Sequence, residues 1–275
     1  MLSILYYLFT LIQVTFWFIV SIIVLIVTYP FDKSRRWVHE CSRIICALLY
    51  DLFPMANRTI DGVENIDKKK PYVMVLNHNS GFDIFSAYKI PLNFRWVSKR
   101  EVFWVPFMGP LLSIHGDIPI ERGNPKKAMA KVSRLGKLWL KRGATVAIFP
   151  EGTRSVDGTI GRFHKGAFYL AEQLQLDILP LVIYGAGMVS PKRTGFHIRR
   201  GWLVTRTLAR VKADDTTFGE NYREQAKAYR KLFCAEYEAL QQKYGVTENP
   251  WFRQTVLGNY IYKSPVQEWY MRVKL

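Results

Sequence analysis

The chain has 275 residues, 49% of them apolar, so it can bury a core of its own and is neither a disordered segment nor a disulfide scaffold. Its 39 Lys and Arg against 22 Asp and Glu leave a net charge of +17, which calls for an anionic partner: nucleic acid, a membrane surface or a phosphorylated substrate. The three cysteines, Cys41, Cys46 and Cys234, have no metal-type spacing and read as reduced packing residues facing a cytosolic compartment.

Met1 to Phe31 contains no charged side chain. The apolar run Ile4 to Thr28 predicts a helix of about 37 Å, enough to cross a hydrocarbon core of about 30 Å. It lacks a basic leader and a small-x-small cleavage site, which argues against a cleaved signal. Lys33, Arg35 and Arg36 follow directly. The positive-inside rule then places the rest of the chain in the cytoplasm, with the protein at the membrane. Residues 35–53 carry Trp37, Cys41, Ile44, Ile45, Leu48, Leu49 and Leu52 at helical spacing. That predicts an amphipathic helix on the membrane surface or against the globular body. Three parts follow: membrane-anchoring helices over 1–55, a catalytic domain over 56–245 and an aromatic, basic tail over 246–275.

Beyond residue 56 strand-like and helix-like segments alternate. "PYVMVLN", "RWVSK", "GDIPIER", "ATVAIFP" and "DILPLVIYG" read as strands. Pro119 within "GDIPIER" suggests an edge or a strand end. Helices are predicted over Ser80 to Lys89, over "PKKAMAKVSRLGKLWLKRG" with Gly143 as its stop, over "KGAFYLAEQLQ" and over Tyr222 to Lys243. Such alternation argues for an α/β fold with a central, mostly parallel sheet flanked by helices.

The chemistry-bearing residues sit between these elements. In "LNHNSGFDIF", His78 and Asp83 are five positions apart. Ser80 and Asp83 form an S-x-x-D capping pattern, so Asp83 can be a helix cap and His78 a strand-end loop residue. Alternatively, Asp83 orients the imidazole and His78 takes a proton from an attacking hydroxyl. The cap permits the second geometry, so the two readings are compatible. No G-x-S-x-G nucleophile motif and no H-E-x-x-H zinc motif occurs in the chain. "FPEGTRS" ends a strand in a turn whose backbone amides and Arg154 suit an anion, with Gly152 allowing close approach. Glu121-Arg122 and Glu151-Arg154 can equally be simple ion pairs.

Together and in this order, "NHNSGFD", "GDIPIER", "FPEGTRS" and "ILPLVIYG" resemble the four motifs of the membrane-associated glycerolipid acyltransferases with a His-x4-Asp motif. The best-known members are the 1-acyl-glycerol-3-phosphate acyltransferases. The resemblance covers about Thr59 to Thr207. "VSKREVFWVPFMG" and "FHKGAF" also fit it, whereas "GAGMVSPKR" and the tail after Asn249 depart from it. It implies His78 as general base and Asp83 as its orienting partner. It implies that Lys99, Glu121, Arg122, Glu151, Gly152, Thr153 and Arg154 bind the acceptor, with Arg154 on its phosphate and Lys99 on that phosphate or on the developing oxyanion. It implies an α/β acyltransferase domain preceded by helices that cross the membrane or dip into one leaflet. No cofactor or metal is expected. The partners are membrane lipids, a lysophospholipid such as lysophosphatidic acid, and acyl-CoA or acyl-carrier protein as co-substrate, with no nucleic acid. Another lyso-lipid or an aminolipid as acceptor, or a silent membrane-binding module, are the competing readings.

Overall fold

Short apolar runs bounded by polar turns become the strands of one sheet. The structure is a computed structural model, described over residues 2–52, 56–121, 123–190 and 201–245. The expectations for Arg122 and for residues 246–275 lie outside the described residues. Two helices come first, α1 (Leu2–Thr28) and α2 (Arg36–Asp51). The strands are β1 (Ala56–Asp61), β2 (Val73–Leu76), β3 (Phe94–Lys99), β4 (Ile118–Ile120), β5 (Thr145–Ile148), β6 (Ile178–Tyr184) and β7 (Gly201–Thr207). Between and after them lie α3 (Phe82–Ala87), α4 (Met108–His115), α5 (Pro125–Lys141), α6 (Gly166–Leu174), α7 (Ala186–Val189) and α8 (Tyr222–Tyr244).

The sheet order is β1-β7-β6-β2-β5-β3-β4. Every pairing is parallel except β6 with β7. The fold is therefore the α/β layer with a mostly parallel sheet that the sequence predicts. Pro119 sits in β4, at the sheet edge, where a missing N–H breaks no ladder on the outer side. Alternate residues of β2 face opposite layers: Val73 and Val75 join the core under α5, α6 and α8, whereas Met74 and Leu76 join the core under α1, α2 and α3. Helices on both faces explain why all four are fully buried.

Two strands, β1 and β7, and two helices, α4 and α7, go beyond the sequence expectation. β1 is polar and half-buried throughout, so it carries no hydrophobic period to read. β7 runs antiparallel to β6 and carries β1 with it in the reversed direction, and α4 has Gly109 and Pro110 in its first turn, which read as breakers.

A buried polar network fastens the α1–α2 hairpin to the sheet. The Arg95 side chain, fully buried in β3, donates to the carbonyls of Ser34 and Arg35 in the hairpin turn. His39 Nδ1 of α2 lies 2.9 Å from His115 Nε2, and His115 Nδ1 lies 2.7 Å from Asp117 Oδ1. Burial, then the neighbouring His115 imidazole and the charge of Arg95, hold His39 well below its usual range. Burial also lowers His115, with Asp117 opposing it. Each histidine therefore adds stability above about pH 6.5 that is lost as pH falls.

Candidate active site

The parallel strands β2, β5, β3 and β4 end on one side of the sheet, where open α/β sheets hold their ligands. His78 follows β2, Glu151 follows β5, Lys99 ends β3 and Glu121 follows β4. At about 4.8 Å per strand, the backbones of His78 and Lys99 are about 10 Å apart along this edge, within reach of a lysine side chain.

His78 is held at every handle. Its Nδ1 lies 2.9 Å from Asp83 Oδ2. Ionised, that carboxylate only accepts, so Nδ1 carries the proton and Nε2 is left as the basic nitrogen. The backbone N–H of His78 donates to Glu151 Oε1 at 2.7 Å, and its carbonyl accepts from Ser155 N at 2.8 Å. The ring stacks on Phe149 at 4.0 Å between centroids, and Phe149 stacks on Trp96 at 4.9 Å. "FPEGTRS" thus grips the histidine loop from three sides.

Asp83 is fully buried in the first turn of α3. Its Oδ2 also accepts from Asn79 N at 2.7 Å and Ser80 N at 2.8 Å. That is the reach-back half of the capping pattern. The other half differs, because Ser80 Oγ accepts from Phe82 N and donates to Ser190 O. Helix α3 begins at Phe82 rather than Ser80. The cap and the His78 contact are made by the same oxygen.

Neighbouring elements brace the loop. The Asn77 side chain exchanges two 2.8 Å hydrogen bonds with Ile183 of β6, in place of strand pairing. Asn79 Nδ2 donates to Tyr237 OH of α8 at 3.0 Å. Gly187 of α7 packs against Asn79, where an added Cβ would come within 3.1 Å of Asn79 Cβ. So "GAGMVS", a departure from the motif pattern, supports the histidine loop from behind. Phe149 and Ser155 lie inside a motif the sequence flagged. Tyr237 and Gly187 had no local signal, because only the tertiary fold brings them close.

The remaining site residues divide. Glu151 is turned inward: Oε2 accepts from Gly161 N at 2.8 Å while Oε1 holds His78. Both oxygens of this buried carboxylate are therefore engaged by backbone amides under the loop. Gly152 has φ +68°, so the turn needs glycine there. Thr153 and Arg154 are exposed beside it. Lys99 Nζ lies 3.3 Å from Glu101, and Glu121 pairs with Arg100. No cluster able to hold a metal occurs among the described residues.

Burial pushes the Glu151 carboxyl up to about 7, against the two amide hydrogen bonds that lower it. The folded chain holds this proton more tightly than the unfolded chain. The associated stability is full below about pH 4.5 and is lost as pH rises through about 7. It amounts to something on the order of 3 kcal/mol. This runs opposite to the term from His39 and His115. Glu151→Gln should therefore change the slope of Tm against pH between 4.5 and 7 relative to wild type. Its amide nitrogen would also face an N–H donor. Loosening of His78 should then lower kcat about tenfold to a hundredfold. Thermal melts across pH and steady-state kinetics check the two effects separately.

Residues 57–184 match the family model described as Acyltransferase. The chain shares 34% identity over 175 residues with the chloroplastic 1-acyl-sn-glycerol-3-phosphate acyltransferase LPAT1 of Arabidopsis thaliana, covering 62% of this chain and 49% of that one. It shares 35% over 173 residues with the 1-acyl-sn-glycerol-3-phosphate acyltransferase of Pseudomonas aeruginosa, covering 59% of this chain and 63% of that one. The chain spans about half the length of the plant plastid relatives it matches. The crystal structure of the lysophosphatidic acid acyltransferase PlsC from Thermotoga maritima has the same fold. It matches with a TM-score of 0.63 at 22% identity, covering 86% of this chain and 98% of that one.

Proposed function

We propose that this chain is a membrane-bound O-acyltransferase that moves a fatty acyl group from acyl-CoA or acyl-carrier protein to the free hydroxyl of a lysophosphatidic acid, giving phosphatidic acid. The observation that carries the reading is the 2.9 Å contact of His78 Nδ1 with Asp83, made by a histidine whose backbone is locked on both sides. His78 Nε2 takes the proton of the acceptor hydroxyl as its oxygen attacks the thioester carbonyl. The tetrahedral intermediate collapses, the C–S bond breaks, and the imidazolium returns its proton to the leaving thiolate. Asp83 stabilises the imidazolium between the two proton transfers. The exposed Arg154 and the half-buried Lys99 are cations for the acceptor phosphate and the oxyanion, with Thr153 and the glycine turn beside Arg154.

The acceptor class comes from the relatives, whose names specify 1-acyl-sn-glycerol-3-phosphate. Purified protein should acylate lysophosphatidic acid, and should turn over monoacylglycerol and lysophosphatidylcholine at least tenfold more slowly. Equal rates on all three would overturn the phosphate-monoester reading. Faster turnover of a lyso-aminolipid would replace the acceptor.

The helix α1 reads as lying in one leaflet, on the side facing the cytoplasm. Both ends touch the body: Tyr6 OH donates to Leu49 O and its ring stacks on Phe82, while Ser21 is fully buried near the other end. A crossing helix would carry one end away from α2 and α3. Leu8, Leu11, Ile12, Phe16, Ile19 and Ile23 form an exposed apolar stripe at helical spacing for the lipid.

A further inference from the structure

The segment between β3 and α4 exposes large apolar side chains without covering them. Trp104 is 69% exposed, and Val105, Phe107 and Met108 are each 42–43% exposed. Four such side chains within five residues form a patch that solvated loops avoid. The loop leaves β3 just after Lys99, on the sheet edge that carries His78.

This loop is built to hold its shape. Phe107, a non-glycine residue, has φ 60°, a strained conformation. Gly109 N donates to Val105 O at 2.7 Å and Leu111 N to Phe107 O at 3.1 Å. Gly109 packs beneath Phe103, where a Cβ would lie 2.0 Å from the Phe103 carbonyl oxygen. The strain and the tight glycine contact fix the apolar side chains outward.

The patch is continuous with α1. Phe107 makes an edge contact with Phe18 at 6.3 Å between centroids. Its surroundings are basic: Lys99 and Arg100 at its base, each paired with a glutamate, and the exposed Lys126 and Lys127 at the start of α5 on the same sheet edge. We propose that the Trp104–Met108 loop is a second membrane-insertion element, seated in the same anionic bilayer as α1 and bringing the mouth of the crevice to the lipid surface. The inference rests on the reading of α1 as a leaflet-embedded helix. It adds a function for the loop: the acceptor enters from the bilayer over Trp104, not from solution. An amphipathic aromatic flanked by cations is the side-chain chemistry of a membrane interface.

Two measurements on the full chain test this. In vesicles of phosphatidylcholine with an anionic phospholipid, tryptophan emission is compared between wild type and Trp104→Phe, with and without bromine on the acyl chains. The difference emission, which belongs to Trp104, should be quenched at least twofold by brominated chains. Unquenched difference emission would overturn the proposal, and would point to a protein partner or a second copy over the patch. Val105→Glu should raise KM for a long-chain lysophosphatidic acid in vesicles at least tenfold. It should leave kcat unchanged, along with the rate on a water-soluble short-chain acceptor. Unchanged KM would also overturn the proposal. A wild type inactive on every acceptor would instead sink the acyl-transfer reading, while the quenching result would still judge the loop.

Discussion

His78→Ala is expected to lower kcat by about 10²–10⁴-fold, the usual contribution of a positioned general base. The loss should fall on kcat rather than KM if, as proposed, the ring acts on the reacting hydroxyl and Arg154 and Lys99 hold the acceptor phosphate. The fold should survive. Asp83 keeps its two amide hydrogen bonds from Asn79 and Ser80, and Glu151 and Ser155 bind only the backbone of residue 78. Removing the ring costs its stack on Phe149, worth about 1 kcal/mol. Kinetics together with a melting curve separate the two effects. A variant that unfolds, or one that keeps wild-type turnover, contradicts the assignment.

Asp83→Asn is the second large effect. Three donors converge on Asp83 Oδ2: His78 Nδ1, Asn79 N and Ser80 N. An asparagine oxygen in that place keeps the two backbone amides and retains the cap. It cannot stabilise a cationic imidazole, and if its amide nitrogen faces the ring it favours the wrong tautomer. The expected result is a loss in kcat of about 10³–10⁴-fold, as when the carboxylate of a catalytic triad is amidated. The stability change should stay within about 1–3 kcal/mol. Asp83→Ala should lose the same activity and more stability, since it leaves the amides of Asn79 and Ser80 buried without an acceptor. That contrast between the two variants distinguishes an orienting residue from a cap alone.

What the sequence made legible follows from periodicity and local chemistry. The apolar runs around Val73, Val146 and Ile178 announce buried parallel strands because both faces are covered, and the structure pairs them side by side. The long basic helix starting at Pro125 is readable from its spacing and from Gly143 as its stop, and the structure adds an N-cap at Asn124, whose side chain accepts from Lys127 N. β1 and β7 were not readable. Their side chains answer to partners more than a hundred residues away, as in the pairing of Thr59 with Val204. The candidate site divides the same way. His78 and Asp83 announce themselves through the S-x-x-D pattern, which is local. Glu151 was expected to face the acceptor, yet its carboxylate is spent on backbone amides of His78 and Gly161. Only the sheet order, which sets β5 beside β2, makes that geometry possible. Tyr237 reaches Asn79 from a helix 158 residues away in sequence, and nothing local foretells it.

The buried network behind the hairpin turn was equally invisible. His39 lies in α2, Arg95 in β3, His115 at the end of α4 and Asp117 just before β4, and each has an ordinary surface reading alone. Folded together, they tie the two N-terminal helices to the strand that ends in Lys99. The network thereby couples the position of the α1–α2 hairpin to the strand edge that carries the candidate site.

The most direct measurement is product formation by the purified chain in anionic vesicles, given a labelled acyl thioester and lysophosphatidic acid. Labelled phosphatidic acid should accumulate with wild type and be reduced by at least a hundredfold with His78→Ala at equal folded concentration. Equal product from both proteins, or none from wild type with any thioester, would contradict the account.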